Sequence, residues 1–167
     1  FYEAPKSMKD RVIVPIRWHN KLIGYVARAT KEMSPKYFAQ VQPGTLFNLD
    51  NQHWSRKFVI LVEGIFDAIQ IDGVAILGSE IAHKQKLQID ALNRKVIVVP
   101  DRDKAGTKLI EQATEWGWAV SMPPWDTNVK DVNDAVQKYG RILTMQAILK
   151  YVFDSKTKIK LQEKLWI

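Results

Sequence analysis

The chain of 167 residues contains no cysteine. Disulfide bonds are therefore excluded, and so is any zinc site built on thiolates. The three histidines lie far apart in the sequence, which also argues against a zinc centre. No apolar run approaches the ~20 residues that a membrane-spanning helix requires, and the N-terminus lacks a signal-peptide pattern. These absences fit a reducing compartment and a protein that acts without a membrane.

Acidic residues are scarce in the first third of the chain. Residues 1–57 hold ten Lys and Arg against four Asp and Glu, a net charge of +6. Residues 58–167 hold fifteen against fourteen, a net charge of +1. A basic module joined to one that carries acids fits a polyanionic partner held beside a metal site. The alternative is a solvated surface that favours solubility, and charge alone does not decide between the two.

The first 57 residues predict a small β-rich subdomain. Residues 11–16 and 22–29 have the composition of strands, and residues 18–21 between them have that of a hairpin turn. Pro15 favours an edge position for the first strand, because proline cannot donate a ladder hydrogen bond. Residues 31–52 contain proline and glycine breakers and are predicted to be irregular. Because the chain begins at Phe1 and not at a methionine, we interpret it as a piece of a longer protein.

From residue 58 onward, short apolar runs alternate with helical patterns. The predicted strands are 58–62, 74–77, 96–99 and 118–121, and the predicted helices between them are 66–71, 82–92 and 105–116. This alternation is typical of βαβ units, so the sequence predicts an α/β class with a parallel sheet and right-handed crossovers. Further helices are predicted at 132–138, 143–152 and 156–165. We expect three parts: 1–57, the α/β domain 58–140, and a helical segment 141–167.

Acidic side chains follow two of the predicted strands. Glu63 comes directly after the first, and Asp101 and Asp103 follow the third. In open parallel sheets, ligands bind beyond the carboxyl ends of the strands, and alternate residues of an extended segment point the same way. Asp67 lies one helical turn after Glu63. Acids that converge at one edge repel each other unless a hard cation such as Mg²⁺ neutralises them.

Each acid also has a structural explanation. An Asp after a strand is often the N-cap of the next helix, and Asp103 is placed to cap the helix predicted at 105–116. Glu63 alone is compatible with a solvated turn. The recurrence of acids at corresponding strand ends weighs against these alternatives, and a further cluster with Asp131 and Asp134 follows the fourth strand.

Two of these segments, 62–68 and 99–106, resemble the signature motifs of the Toprim fold, which occurs in primases, topoisomerases and some nucleases. Residues 77–79 resemble the loop after the second Toprim strand, and residues 130–134 resemble the third acidic motif of bacterial-type (DnaG-like) primases. Upstream, the order of segments between residues 11 and 37 is similar to the basic subdomain that precedes Toprim in those primases.

The chain departs from the family at three places. Phe38 and the residues after it replace a short polar pair, residues 46–50 replace a later basic segment, and Asn133 stands where an Asp is typical unless Asp134 substitutes for it. The resemblance implies a Rossmann-like parallel sheet flanked by helices and preceded by a small basic β-rich subdomain.

The resemblance implies a DNA primase core that synthesises short RNA primers on single-stranded DNA from NTPs, using Mg²⁺ or Mn²⁺ and no zinc. It implies catalytic and metal-ligating roles for Glu63, Asp101 and Asp103, with Asp67, Asp131 and Asp134 as outer or second-metal ligands. It implies that nucleic acid and nucleotides are bound by Arg17, Lys21, Arg28, Lys36 and Tyr37. A replicative helicase or a zinc-binding module outside this chain, and a cytoplasmic location at the replication fork, bacterial or phage-encoded, follow as expectations.

Competing interpretations are a Toprim nuclease and a catalytically inactive Toprim module that binds nucleic acid. A topoisomerase requires further domains and a nucleophilic tyrosine, and nothing in the sequence singles one out. Receiver domains and haloacid-dehalogenase-like hydrolases also place acids at strand ends. They do not explain Glu63 and Gly64 ahead of the Asp pair, nor the basic leader.

Overall fold

The computed structural model describes residues 8–166 and divides the chain into two compact units. One unit ends at Thr45 and the other begins at Leu46. Residues 46–57 are grouped with the second unit, where the backbone of Phe47 bridges Ala75 and the Arg56 guanidinium pairs with Asp72. The division of the chain at residues 57 and 140 stays a prediction.

The first unit is an antiparallel sheet of β1 (Arg11–Trp18), β2 (Lys21–Ala29) and β3 (Tyr37–Gln40), in the order β1-β2-β3. His19 and Asn20 join the first two strands with left-handed φ angles of 47° and 62°, as a two-residue type I′ hairpin requires. Pro15 lies in an edge strand, as predicted.

The prediction that residues 31–52 are irregular is wrong at β3. All four side chains of this strand are exposed, so no alternation of buried and exposed residues marks it in the sequence. Its backbone bonds to β2, and its pairing with that strand supplies the stability that its own composition does not show.

The second unit is a five-stranded sheet in the order β5-β4-β6-β7-β8. Its strands are β4 (Phe58–Val62), β5 (Val74–Ala75), β6 (Lys95–Val98), β7 (Ala119–Ser121) and β8 (Val152–Phe153). The first four are parallel, and β8 pairs with β7 antiparallel. The helices are α1 (Ile65–Ile71), α2 (His83–Asp90), α3 (Lys104–Glu115), α4 (Val132–Tyr139), α5 (Arg141–Lys150) and α6 (Lys156–Trp166). The predicted α/β class with a parallel sheet is confirmed.

Two details of the second unit differ from the prediction. The strand predicted at 74–77 ends at Ala75, because Leu77 adopts a left-handed φ of 60° that a strand does not accommodate. The helix predicted at 143–152 stops at Lys150, and the two-residue strand β8 follows. Two residues are too few to show a period in sequence.

The core lies where α1, α4 and α5 cover the sheet. The four residues from Val59 to Val62 are at most 5% exposed, as expected of a strand buried on both faces. Helix α3 buries Leu109, Ile110 and Ala113, which recur at helical spacing. This packing fixes the strand ends on which the acids stand. Among residues 8–166, no helix has the length and apolarity needed to cross a membrane.

Candidate active site

Glu63 and Asp101 stand at the carboxyl ends of two neighbouring strands. Strands β4 and β6 are parallel and in register, with Leu61 opposite Val98. The chain continues past both strands in the same direction, and the amide N–H of Asp101 donates to Oε1 of Glu63 at 3.2 Å. The structure therefore brings together two acids that are 38 residues apart in sequence.

Asp67 joins this edge from helix α1. Its side chain is 6% exposed, and its Oδ1 accepts a hydrogen bond of 2.8 Å from the amide of Asn133 at the start of α4. Gly64 makes room for this carboxylate, because a Cβ added at Gly64 would overlap Oδ2 of Asp67. A larger residue after Glu63 would therefore force the Asp67 carboxylate to move.

Asp103 and Asp131 are the N-caps of α3 and α4. Oδ1 of Asp103 accepts from the amides of Ala105 and Gly106 at 2.8 and 3.0 Å, so the capping role considered from the sequence is present. Both capping bonds are accepted by Oδ1 of Asp103, and its Oδ2 takes no part in them. A Cβ at Gly106 would overlap the backbone carbonyl of Asp101, which explains the glycine at this point of α3.

Asp134 lies in the first turn of α4 and completes its cap. The Asp134 amide donates to Oδ1 of Asp131 at 2.7 Å, while its own Oδ2 accepts from the amide of Lys130 at 3.3 Å. A carboxylate in the first helical turn is stabilised by the positive end of the helix dipole. Helix α4 therefore begins with two acids held close to α1 and its Asp67.

Burial and mutual repulsion raise the proton affinity of three of these acids. Burial, with Glu63 as the next largest cause, raises the pKa of Asp101 to about 8. Burial raises the pKa of Glu63 to about 7, although the amide of Asp101 opposes this effect. Burial, with repulsion from Asp131, raises the pKa of Asp67 to about 6. Shifts of this kind, caused by burial and neighbouring carboxylates, are typical of functional clusters.

These acids suit a hard divalent cation. The atoms that they offer as metal ligands are all carboxylate oxygens. The charges that act most strongly on Asp101 are other carboxylates, so a cation would relieve the repulsion among them. Within residues 8–166, however, the side chains do not form a group of three or more carboxylates and histidines already arranged to hold a metal ion. The carboxylates share one edge of the sheet without converging on a single point.

The basic residues predicted to bind nucleic acid fall into two groups in the first unit. The Arg28 guanidinium and the Lys36 amine lie 5.6 and 6.0 Å from the ring centre of Tyr37. Arg17 and Lys21 lie at the opposite end of the hairpin, beside its turn. At about 3.4 Å per residue, the seven steps along β2 from Lys21 to Arg28 separate the groups by about 24 Å.

Sequence reasoning missed the partners of the acidic loops. The Asn133 side chain accepts from Nε2 of Gln70 at 3.1 Å, so it links α4 to α1 where the family has an acid. Arg102, between the two aspartates, bonds to the carbonyl of Trp166 at the end of α6. These pairs are 63 and 64 residues apart, and no local pattern in the sequence connects them.

Comparison with known proteins agrees with this architecture. Residues 60–136 match the family model described as Toprim-like. A DNA primase of Thermotoga maritima is 29% identical over 152 residues, covering 79% of this chain and 27% of that protein.

Two solved structures share the fold of this chain. The RNA polymerase domain of the Mycobacterium tuberculosis primase DnaG superposes with a TM-score of 0.71, at 19% identity, over 86% of this chain and 56% of that one. A DnaG primase catalytic domain bound to single-stranded DNA gives a TM-score of 0.68 at 21% identity, over 84% of this chain and 53% of that one. The chain thus spans about half of these structures and about a quarter of the curated relative.

The second unit therefore has a Toprim-like fold, as predicted. The similar proteins are a DNA primase and two domains of DnaG primases. The chain is similar to the catalytic core of DnaG-type primases, as the motifs predicted.

Proposed function

We propose that the chain is the RNA-polymerase core of a DNA primase, which synthesises RNA primers on single-stranded DNA from NTPs with Mg²⁺ or Mn²⁺. The observation that carries the proposal is the hydrogen bond from the amide of Asp101 to the side chain of Glu63, which joins the ends of two adjacent strands of a Toprim-like sheet. A similar DnaG domain is described as bound to single-stranded DNA, which supports that template. A replicative helicase and a zinc-binding module are proposed as partners outside this chain, in the cytoplasm.

Glu63, Asp101 and Asp103 are proposed to hold the cation, with Asp67, Asp131 and Asp134 around them. When bound there, a divalent cation would supply positive charge to offset that of the triphosphate and to lower the pKa of the attacking 3′-hydroxyl. Because burial raises the pKa values of Glu63 and Asp101 to about 7 and 8, both side chains would have to lose a proton in order to serve as ligands. Asp103 stays oriented by the first amides of α3. This chemistry depends on positioning and electrostatics, and no side chain is required as a general base.

The first unit is proposed to bind the template and nucleotide phosphates. Arg17, Lys21, Arg28 and Lys36 supply positive charge, and contacts of this kind give affinity that falls with salt and carry little sequence information. Tyr37 is 45% exposed, and its ring is proposed to stack on a base.

The test is an extension assay with single-stranded DNA, NTPs and Mn²⁺, comparing wild type with Asp101→Asn and Glu63→Gln. Asp154→Asn is the matched control. Asp154 is exposed and pairs with Lys95, which begins β6, whereas the proposed site lies beyond the other end of that strand. RNA products from wild type and the control, with at least a ~100-fold loss in the two site variants, support the proposal. Unchanged synthesis by either variant contradicts the site, and shortened DNA without RNA products identifies a nuclease.

A further inference from the structure

Arg102 lies between the two aspartates of the loop before α3, yet its side chain is directed to the end of helix α6. Its Nε donates to the carbonyl oxygen of Trp166 at 2.5 Å, and its Nη1 donates to that of Trp125 at 3.0 Å. The guanidinium carbon also lies 5.8 Å from the ring centre of Trp166. One side chain therefore holds two distant segments.

Trp166 is itself firmly anchored. It is the last residue of α6, its side chain is 2% exposed, and its Nε1 donates to the carbonyl of Pro123 at 2.7 Å. Pro123 and Trp125 belong to the connection between β7 and α4, so Arg102 and Trp166 bind the same connection from two directions. The backbone amide of Arg102 also donates to the carbonyl of Lys130 at 2.7 Å, directly before Asp131.

An arginine between two aspartates would ordinarily be expected to neutralise them. Its bonds run instead to backbone carbonyls, and the charges that act most strongly on Asp101 are all carboxylates. A planar guanidinium can reach two carbonyls and lie over an indole ring at once, whereas a lysine amine offers a single charged point. The arrangement favours a structural connection over charge compensation.

We propose that Arg102 is a positioning residue that fastens the loop from Asp101 to Asp103 to the end of α6 through Trp166. The order of the acidic loop then depends on the docking of the C-terminal helix. Describing the loop as part of a metal site rests on the proposed function, but the connection itself does not.

Amide hydrogen exchange tests the connection without metal or substrate. The amides of Arg102, Asp103, Ala105 and Gly106 all donate hydrogen bonds within or beside the loop. Arg102→Met is expected to accelerate their exchange by ~10-fold or more, because bonds to a charged group are among the stronger ones. The amides of β4 are expected to exchange as in wild type.

The second arm pairs Arg102→Met with Trp166→Ala. If the two side chains act as one unit, the double variant exchanges in the loop no faster than the faster single variant. Arg102→Lys is expected to restore only part of the protection. Ile159→Val is the control, since Ile159 is buried in the same helix and loses packing, while the hydrogen bonds and ring contact of the Arg102 side chain run to Trp125 and Trp166.

Mn²⁺ affinity, measured from the paramagnetic signal of free Mn²⁺, tests whether the contact between Arg102 and Trp166 supports the proposed metal site. Arg102→Met and Trp166→Ala are each expected to weaken binding by ~10-fold, as loss of an outer-shell partner does. Wild-type protein that binds no Mn²⁺ or makes no primer contradicts the proposed function and leaves the exchange comparison intact. The inference is overturned if the loop amides of folded Arg102→Met or Arg102→Lys exchange as slowly as those of wild type. It is also overturned if the effects of Arg102→Met and Trp166→Ala on exchange add up in the double variant. The same conclusion follows if Ile159→Val accelerates exchange in the loop as much as Arg102→Met does.

Discussion

Replacing Asp67 with Asn removes a buried charge and keeps the shape of the side chain. The Asn oxygen can still accept the hydrogen bond from the amide of Asn133, which joins α1 to α4 at 2.8 Å. What changes is the repulsion from the neighbouring Asp131 and the cost of burying a carboxylate, which together raise the pKa of Asp67 to about 6. The substitution therefore isolates the electrostatic cost of the site.

The size of that cost follows from proton linkage. The folded protein holds the Asp67 proton more tightly than the unfolded chain, so stability is lost as the pH rises through the folded pKa. The pKa of Asp67 rises from 3.8 to about 6 on folding. Its ionisation therefore lowers the free energy of unfolding by about 3 kcal/mol at pH 8 and by about 1.5 kcal/mol at pH 5. The new amide adds a cost that does not depend on pH. The stability of Asp67→Asn relative to wild type should therefore rise by about 1.5 kcal/mol between pH 5 and pH 8.

Urea unfolding in the presence of a chelator, at pH 5 and pH 8, measures this difference. Asp154→Asn is the reference, because its carboxylate is exposed and pairs with Lys95, which begins β6, whereas the site lies beyond the other end of that strand. A difference between Asp67→Asn and wild type that is equal at both pH values would refute the reasoning. It would mean that Asp67 is ionised in the folded protein at no greater cost than in the unfolded chain.

Three further outcomes are expected. Chelated wild-type protein should lose thermal stability from pH 5 to pH 8 as Glu63 and Asp101 ionise, since burial raises their pKa values to about 7 and 8, and Mn²⁺ should restore the melting temperature at pH 8. Gly106→Ala should lower the free energy of unfolding by ~1–3 kcal/mol in urea because its Cβ meets a backbone carbonyl, whereas Gly78→Ala, with open space around it, should change it little. Arg28→Ala should weaken single-stranded DNA binding and reduce the slope of log affinity against log salt by ~1 in a fluorescence titration, and an unchanged slope would contradict its phosphate contact.

The parts of the site that could be predicted from sequence are those that local periodicity determines. A continuous apolar run marks a strand buried on both faces, and parallel strands end at one edge, so Glu63 and Asp101 were expected to meet. The N-cap role of Asp103 was also foreseeable, since the residue stands directly before a helical pattern. The roles of these residues in catalysis stay predictions.

The parts that could not be predicted are contacts between distant segments. Asp67 accepts a bond from a residue 66 positions later, and Arg102 donates to one 64 positions later. Nothing in the periodicity of either segment specifies its partner, because such contacts depend on how the helices stack on the sheet. Strand β3 was missed for a related reason, since its pairing with β2 and not its own pattern makes it a strand.

The two kinds of acid in the site face different physical conditions, which bears on how a cation would be bound. Asp103 and Asp131 stand at helix N-termini, where their carboxylates accept hydrogen bonds from backbone amides. Glu63, Asp67 and Asp101 are held among buried groups that favour the proton. The capped acids are thus oriented by backbone amides, whereas the buried acids would have to release protons in order to bind a cation. Binding should then release protons at neutral pH, and its affinity should rise with pH across the range in which the buried acids titrate.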